Sequence, residues 1–295
     1  MDEQNWTVGR LLSWTTDYLN ERGAESARLD AEVLLAHARG CQRIELYTAF
    51  EEVAADAVRE RFRELVKQRA AGKPVAYLVG SREFFSLPFE VNSDVLIPRP
   101  ETEAIVVRGL DLLKGKEGPL GTQQARVADV GTGSGILAIC LVRGFATAAA
   151  TAMDLSEAAL AVAARNAERH GVADRIDFVA SDLFASLPPT REFDLIVSNP
   201  PYVKSGEMAS LQTDVRQYEP ALALDGGIAG TDVIARLLPQ VAERLVVGGR
   251  FLMEIGPSVA AEVEQLVSAT PALELIEIHD DLSGMARIVE AVRNA

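Results

Sequence analysis

Through roughly the first 80 residues, apolar positions recur at helical intervals: Leu11, Leu12, Trp14 and Tyr18, then Leu34 and Leu35, then Val58, Phe62, Leu65 and Val66. Such spacing puts one apolar stripe on each segment and predicts a small bundle of amphipathic helices. The pattern changes in "FFSLPFEVNSDVLIPRP", where β-prone residues alternate with turn formers and the run closes on two prolines around Arg99. A short hairpin is expected there. Beyond it strands and helices alternate. "ARVADVG" reads as a buried strand closed by glycine, "ILAICLVRGF" as a helix, and "ATAAATAMD" as a strand ending in an acid. A helix from a Ser156 cap to Gly171 follows, then strands in "RIDFVAS" and "FDLIVS", a long loop, a helix over about 231–247, and a strand in "GRFLMEIG". The tail "LELIEIHDDLSGMARIVEAV" offers two more strands, the last an antiparallel addition. The expected fold class is α/β, with a mostly parallel, doubly wound sheet behind the helical bundle and hairpin. The boundaries predicted are 1–82 for the helical domain, 83–100 for the connector and 101–295 for the sheet domain.

Composition narrows the functional classes. With 48% hydrophobic residues in 295, the chain can bury a large core, and disorder is excluded. The net charge of -14 argues against a protein that draws its affinity from duplex phosphates. Arg59, Arg61, Arg63, Lys67, Arg69 and Lys73 form a local basic cluster, read as a solvated helix face or as a docking patch for an acidic partner. Cys41 and Cys140 are placed in helical segments and have neither disulfide nor metal spacing, which suits a reducing compartment. The N-terminus has acids where an export signal would have bases, and no apolar run reaches the roughly 20 residues of a membrane span. A cytoplasmic protein without metal or membrane partners is expected.

Two motifs carry candidate chemistry. "DVGTGSG" places glycines at 131, 133 and 135 on a strand-to-helix turn, where backbone can approach a ligand and helix N–H groups face it. The third glycine comes one position too early for a dinucleotide fingerprint. Asp154, at the end of the next strand, sits about 20 residues on, where a carboxylate can accept both ribose hydroxyls. Together these favour an adenosyl ligand, and they resemble the class I methyltransferases that bind S-adenosylmethionine. That resemblance implies a Rossmann-like fold, a methionine end wrapped by Gly131, Thr132, Gly133, Ser134 and Gly135, a ribose on Asp154, and an adenine near Asp182 and its apolar neighbour Leu183.

The second motif is "NPPY", residues 199 to 202, directly after a strand. Prolines at 200 and 201 stiffen the corner and donate no N–H that could compete for nearby carbonyls. The motif resembles the signature of methyltransferases acting on planar nitrogens, glutamine side-chain amides or the adenine amine. An amide lone pair is delocalised, so the nitrogen must be held in line with the methyl donor. Asn199 Oδ1 and the Pro200 carbonyl can each accept one N–H of the substrate NH₂ and stabilise positive charge growing on it. Tyr202 can stack on the planar group, and Pro201 completes the substrate-binding corner.

The whole length resembles the HemK/PrmC family of protein-glutamine methyltransferases, most specifically in "GKPVAYLVGSREFFSLPFEVNSDVLIPRPETE", and also in "LDAEVLLAHARG", "YEPALALDGGIAGTDVIARLL" and "GGRFLMEIG". The resemblance implies S-adenosylmethionine as cofactor, with S-adenosylhomocysteine as product. It implies the glutamine of the Gly-Gly-Gln loop of class 1 peptide chain release factors as substrate. It further places Arg99, Glu101 and Thr102 beside the cofactor or target loop, with Asn199 between the two ligands. The helical domain is expected to grip the body of the protein substrate. A ribosomal-protein glutamine methyltransferase, a nucleic-acid adenine methyltransferase and a nonenzymatic binder of the cofactor remain open. The second of these needs a basic groove or target-recognition domain, and neither is evident in the sequence.

Overall fold

The computed structural model describes residues 6–115, 124–281 and 283–295. The chain forms two compact units, one of Met1–Ser81 with Gln212–Tyr218, the other of Arg82–Leu211 with Glu219–Ala295.

The first unit is helical: α1 (Val8–Asn20), α2 (Ala27–Arg39), the single turn α3 (Glu45–Thr48), α4 (Asp56–Ala70) and α5 (Val75–Val79). The Thr7 hydroxyl caps α1 by accepting the Arg10 N–H, and Gly40, with φ +69°, ends α2. Cys41 therefore lies just past a helix, not within one. Leu12, Leu34, Leu35, Leu46, Phe62 and Val66 close the core. The basic cluster on α4 is not uniformly solvated, because the Arg69 guanidinium bonds to the buried Asp30 carboxylate at 2.7 Å. The long loop expected after the Asn-Pro-Pro-Tyr corner contains a short helix, Thr213–Tyr218, that belongs to this unit. Gln212 donates to Glu25 and the Tyr218 hydroxyl to the Ala71 carbonyl.

A hairpin of β1 (Ser81–Phe84) and β2 (Leu87–Glu90) precedes the large sheet. Its two-residue turn, Phe85 and Ser86, takes positive φ at both positions, the twist that matches right-handed strands. No glycine signals it. Glu103 holds the turn by accepting the Phe85 N–H. Strand pairing stops at Glu90, short of the expected connector, and residues 91–99 carry no strand.

The sheet has seven strands: β3 (Arg126–Val130), β4 (Ala149–Asp154), β5 (Ile176–Ala180), β6 (Phe193–Ser198), β7 (Leu245–Glu254), β8 (Leu273–Asp280) and β9 (Ala286–Arg293). Their order is β5-β4-β3-β6-β7-β9-β8; the first five are parallel, and β9 runs antiparallel to both of its neighbours. Helices α6 (Glu103–Lys114), α7 (Ile136–Gly144) and α8 (Glu157–Arg169) join one core with Val127, Leu195 and Leu252. Helices α10 (Asp232–Arg244) and α11 (Ala260–Ala269), numbered with Thr213–Tyr218 as α9, join the other with Ala128, Ile196 and Met253. Neighbouring strand residues thus point into opposite cores, and strands covered on both faces read as continuous apolar runs. Helix α10 ends three residues before 247, because Leu245 already pairs with Phe193 in the sheet. Strand order reverses between β3 and β6, which opens a crevice at their carboxyl ends. There the Ser198 hydroxyl donates to the Val130 carbonyl at 2.7 Å and ties the two strand ends together. No described helix is long and apolar enough to cross a membrane.

Candidate active site

One wall of the crevice is the turn from β3 into α7. The N–H groups of Gly131 and Thr132 both donate to the Met153 carbonyl, at 2.8 and 2.9 Å, which bends the loop back over β4. Gly131, Gly133 and Gly135 all have positive φ, a region costly for side chains bearing Cβ. Their surroundings differ. A Cβ on Gly131 or Gly133 would meet open space, whereas one on Gly135 would lie 2.9 Å from Ile139 Cδ1 and 3.1 Å from Ala163 Cβ. Gly135 therefore serves the close packing of α7 on α8 and does not line the cavity.

Two buried carboxylates hold this loop. Asp129 Oδ2 accepts the Thr132 hydroxyl at 2.7 Å and the Ala138 N–H at 3.0 Å, while Asp129 Oδ1 has no partner among the described residues. Burial pushes the Asp129 carboxyl up to about 6, and the Asp154 charge adds to the rise. Asp154 Oδ2 accepts the Gly133 N–H and Oδ1 the Ser156 N–H, both at 2.9 Å. The Leu155 N–H also bonds this carboxylate, which still leaves one of its about four lone-pair sites for an incoming hydroxyl. Burial raises the pKa of Asp154 too.

Between these elements lies a cavity of about 260 Å³. Arg99, Thr102, Gly131, Thr132, Gly133, Ser134, Asp154, Asp182, Leu183, Asn199 and Pro201 line it; Pro200 and Tyr202 do not. At its far end Asp182 is paired with Arg236 of α10, and Leu183 adopts a positive φ of 53°. The Arg99 guanidinium is engaged by Glu219, whose other oxygen accepts the Ile97 N–H.

The opposite wall is the corner after β6. Asn199 Nδ2 donates to Thr102 Oγ1 at 3.2 Å, and Thr102 in turn donates to Glu254 Oε2 at 2.5 Å. The Tyr202 hydroxyl donates to the other oxygen of the same carboxylate at 3.3 Å. Burial raises the pKa of both Glu254 and Tyr202. The tyrosine ring packs on Gly256, where a Cβ would come within 2.9 Å of it, so at least part of the ring is committed to the protein interior. Gly226 supports the turn from behind: a Cβ there would lie 2.8 Å from both the Pro201 carbonyl oxygen and Tyr202 Cα. Neither Asn199 Oδ1 nor the Pro200 carbonyl receives a hydrogen bond from the described residues, so two acceptors are left at the corner.

Sequence reasoning did not find Glu254, Glu219, Arg236 or the supporting Gly226. The only local signal for Glu254 is an acid at the end of the apolar run "FLMEIG", and its partners are far away in sequence. Among the described residues no group of three or more His, Cys, Asp or Glu could hold a metal ion.

The residues fit an adenosyl ligand bearing a cation. Gly131 and Gly133 leave room for one, Asp154 offers a hydroxyl acceptor, and an unpartnered carboxylate oxygen lies under the glycine loop. Fold and cavity define a class I methyltransferase that uses S-adenosylmethionine. The comparisons with known proteins agree. Residues 116–229 match the family described as methyltransferase small domain, and residues 10–80 the PrmC N-terminal domain. The release factor glutamine methyltransferase of Rhodopirellula baltica is 46% identical over 286 residues, covering 96% of this chain and 95% of its own. That of Bradyrhizobium diazoefficiens is 41% identical over 90% of this chain and 88% of its own. The chain belongs to the release factor glutamine methyltransferase family. Among solved structures, a ribosomal protein L11 methylase from Lactobacillus delbrueckii subsp. bulgaricus matches with a TM-score of 0.50 at 21% identity, over 70% of this chain and 84% of that one. A methyltransferase from Pyrococcus furiosus matches with 0.51 at 16% identity, over 79% and 98%. These two share the fold.

Proposed function

We propose that the protein methylates the side-chain amide nitrogen of the glutamine in the Gly-Gly-Gln loop of class 1 peptide chain release factors. The observation that carries the chemistry is the pair of unused acceptors, Asn199 Oδ1 and the Pro200 carbonyl, on a corner stiffened by two prolines beside the cavity. The relatives' shared name supports the substrate.

Bound S-adenosylmethionine supplies a methyl group on a sulfonium, an electrophile strong enough for a carboxamide nitrogen. Gly131 to Ser134, Asp154, Asp182 and Leu183 are assigned to holding it, with Arg99 and Thr102 along the same wall. Asn199 Oδ1 and the Pro200 carbonyl each accept one N–H of the substrate amide, which orients the nitrogen lone pair and stabilises the positive charge that grows there. Tyr202 and Pro201 keep the corner in shape. No strong base is required, because the N-methylated amide cation loses its proton readily to water. The helical unit is assigned to the body of the release factor, since one glutamine side chain offers little surface for selection. A cytoplasmic site of action goes with that substrate, and no nucleic acid is needed for it.

The test is methyl transfer from labelled S-adenosylmethionine to a purified release factor, beside its Gly-Gly-Ala variant, ribosomal proteins and DNA. Label on the native loop and none on Gly-Gly-Ala is the expected result. Label confined to ribosomal protein or DNA would overturn the substrate.

A further inference from the structure

We infer that Glu254 is a positioning residue that decides, through the Thr102 hydroxyl, which end of the Asn199 carboxamide faces the substrate. The inference rests on the reading of Asn199 as an acceptor for the substrate amide. A carboxamide has an accepting end and a donating end of nearly the same shape, so packing alone discriminates poorly between them. Only the accepting end can bind a substrate N–H.

The structure breaks this symmetry with a directed chain of hydrogen bonds. An ionised carboxylate can only accept, so Glu254 takes the single Thr102 hydroxyl proton at 2.5 Å. With that proton committed, Thr102 Oγ1 can only accept from its other neighbour. Asn199 therefore turns its Nδ2 toward Thr102, at 3.2 Å, and its Oδ1 away. The reversed amide would set Oδ1 against Oγ1 with no proton between them. The second oxygen of Glu254 takes the Tyr202 hydroxyl, so both ends of the Asn199–Tyr202 corner answer to one carboxylate.

Other groups set the charge on Glu254. Burial opposes the ionised form most, the hydrogen bonds from Thr102 and Tyr202 favour it, Arg287 on β9 favours it too, and Glu101 opposes it. Arg287 is itself held by Asp281. Once protonated, Glu254 can donate to Thr102, and the direction of the chain is lost. A glutamine at 254 has the same ambiguity at every pH, because its NH₂ can donate where the carboxylate could only accept.

The experiment compares wild type with Glu254→Gln, Thr102→Val and Thr102→Ser, using saturating cofactor and full-length release factor. Glu254→Gln and Thr102→Val are expected to lower kcat about tenfold to hundredfold, less than the roughly hundredfold to thousandfold seen when a preorganised hydrogen bond to developing charge is removed outright, because Asn199 itself remains. For Glu254→Gln, which does not line the cavity, the Kd for S-adenosylmethionine should stay within about threefold, the mark of an interaction that matters in the transition state. Thr102→Ser restores the hydroxyl and should restore kcat. The wild-type kcat should fall toward acid pH as Glu254 takes up a proton, and Glu254→Gln should lack that limb. A substrate-free readout is the nuclear Overhauser contact between the Asn199 Nδ2 protons and the Thr102 methyl. It should be present in wild type and weakened in Glu254→Gln. Wild-type kcat in Glu254→Gln, Thr102→Ser as impaired as Thr102→Val, or no such contact in wild type would overturn the inference. If Glu254→Gln does not fold, the two Thr102 variants decide. If wild type fails to methylate release factor at all, the substrate reading falls, while the Overhauser comparison still tests the relay.

Discussion

The two walls of the cavity stand at the ends of adjacent parallel strands, yet they are built by different means. The glycine loop after β3 is held largely from within: Asp129 binds Thr132 and the Ala138 N–H, and Met153 and Asp154 of the neighbouring strand take three loop N–H groups. Four of the five groups held are backbone N–H groups, taken by two carboxylates and one carbonyl, and the loop's conformation is chosen by glycines with positive φ. The corner after β6 is held from a distance. Thr102 and Glu254, 152 residues apart, hold it together with Gly226 and Gly256, and the bonds that orient Asn199 run between side chains. Holding backbone N–H groups is enough to shape a turn; fixing which end of one amide faces outward needs side chains with their own directing partners.

The sharpest break between the walls is expected from Asn199→Ala set against Asp154→Ala. The first should lower kcat about a hundredfold to a thousandfold with little change in cofactor affinity, as loss of a single charge-stabilising contact does. The second should chiefly weaken cofactor binding in calorimetry. Equal kcat for Asn199→Ala and wild type would remove Asn199 from the reaction, and an unchanged Kd for Asp154→Ala would remove Asp154 from the cradle.

Gly226→Ala tests the corner without touching a reacting group. Its Cβ would lie 2.5 Å from the Gly230 carbonyl oxygen and 2.8 Å from that of Pro201. Backbone must shift, at a cost of about 1–3 kcal/mol in stability. The displaced corner should lose activity while cofactor affinity holds, because the glycine loop lies elsewhere. If kcat is unchanged per folded molecule, the corner tolerates more movement than the positioning argument allows.

Asp129→Asn tests the loop through pH. Burial raises the folded-state pKa of Asp129 from 3.8 to about 6, so between those values the folded protein binds more protons than the unfolded chain. Stability contributed by this group is therefore fullest at the acid end and falls as pH rises through the window, by a few kcal/mol at most. Urea unfolding of the ligand-free protein from pH 4 to 7 should show this slope in wild type relative to Asp129→Asn. A difference that does not vary with pH would mean that Asp129 is not destabilised by its burial.

The contrast between the walls also separates what was readable in the primary structure from what was not. Glycine spacing, the acid ending β4 and the proline pair after β6 are local signals, and each lies where the motif puts it. The turn at Phe85 and Ser86 escaped because neither residue advertises a positive φ, and Glu103, which holds it, is 18 residues away. Gly135 looked like its two companions, and only the approach of Ala163 distinguishes its task. The helix at Thr213–Tyr218 was hidden in a loop because its six residues carry too short a pattern to read.

The sequence by itself determined the alternation of strands and helices, the glycine loop and the rigid corner, because hydrophobic period, glycine and proline act over a few residues. Only the tertiary structure decided which carboxylate stands behind Thr102 and Asn199, which glycines face open space and which pack against a helix, and that residues 212–218 join the helical unit. Those outcomes depend on which distant side chains meet. A hydrogen bond across 152 residues, like that between Thr102 and Glu254, leaves no periodic trace in either segment that forms it.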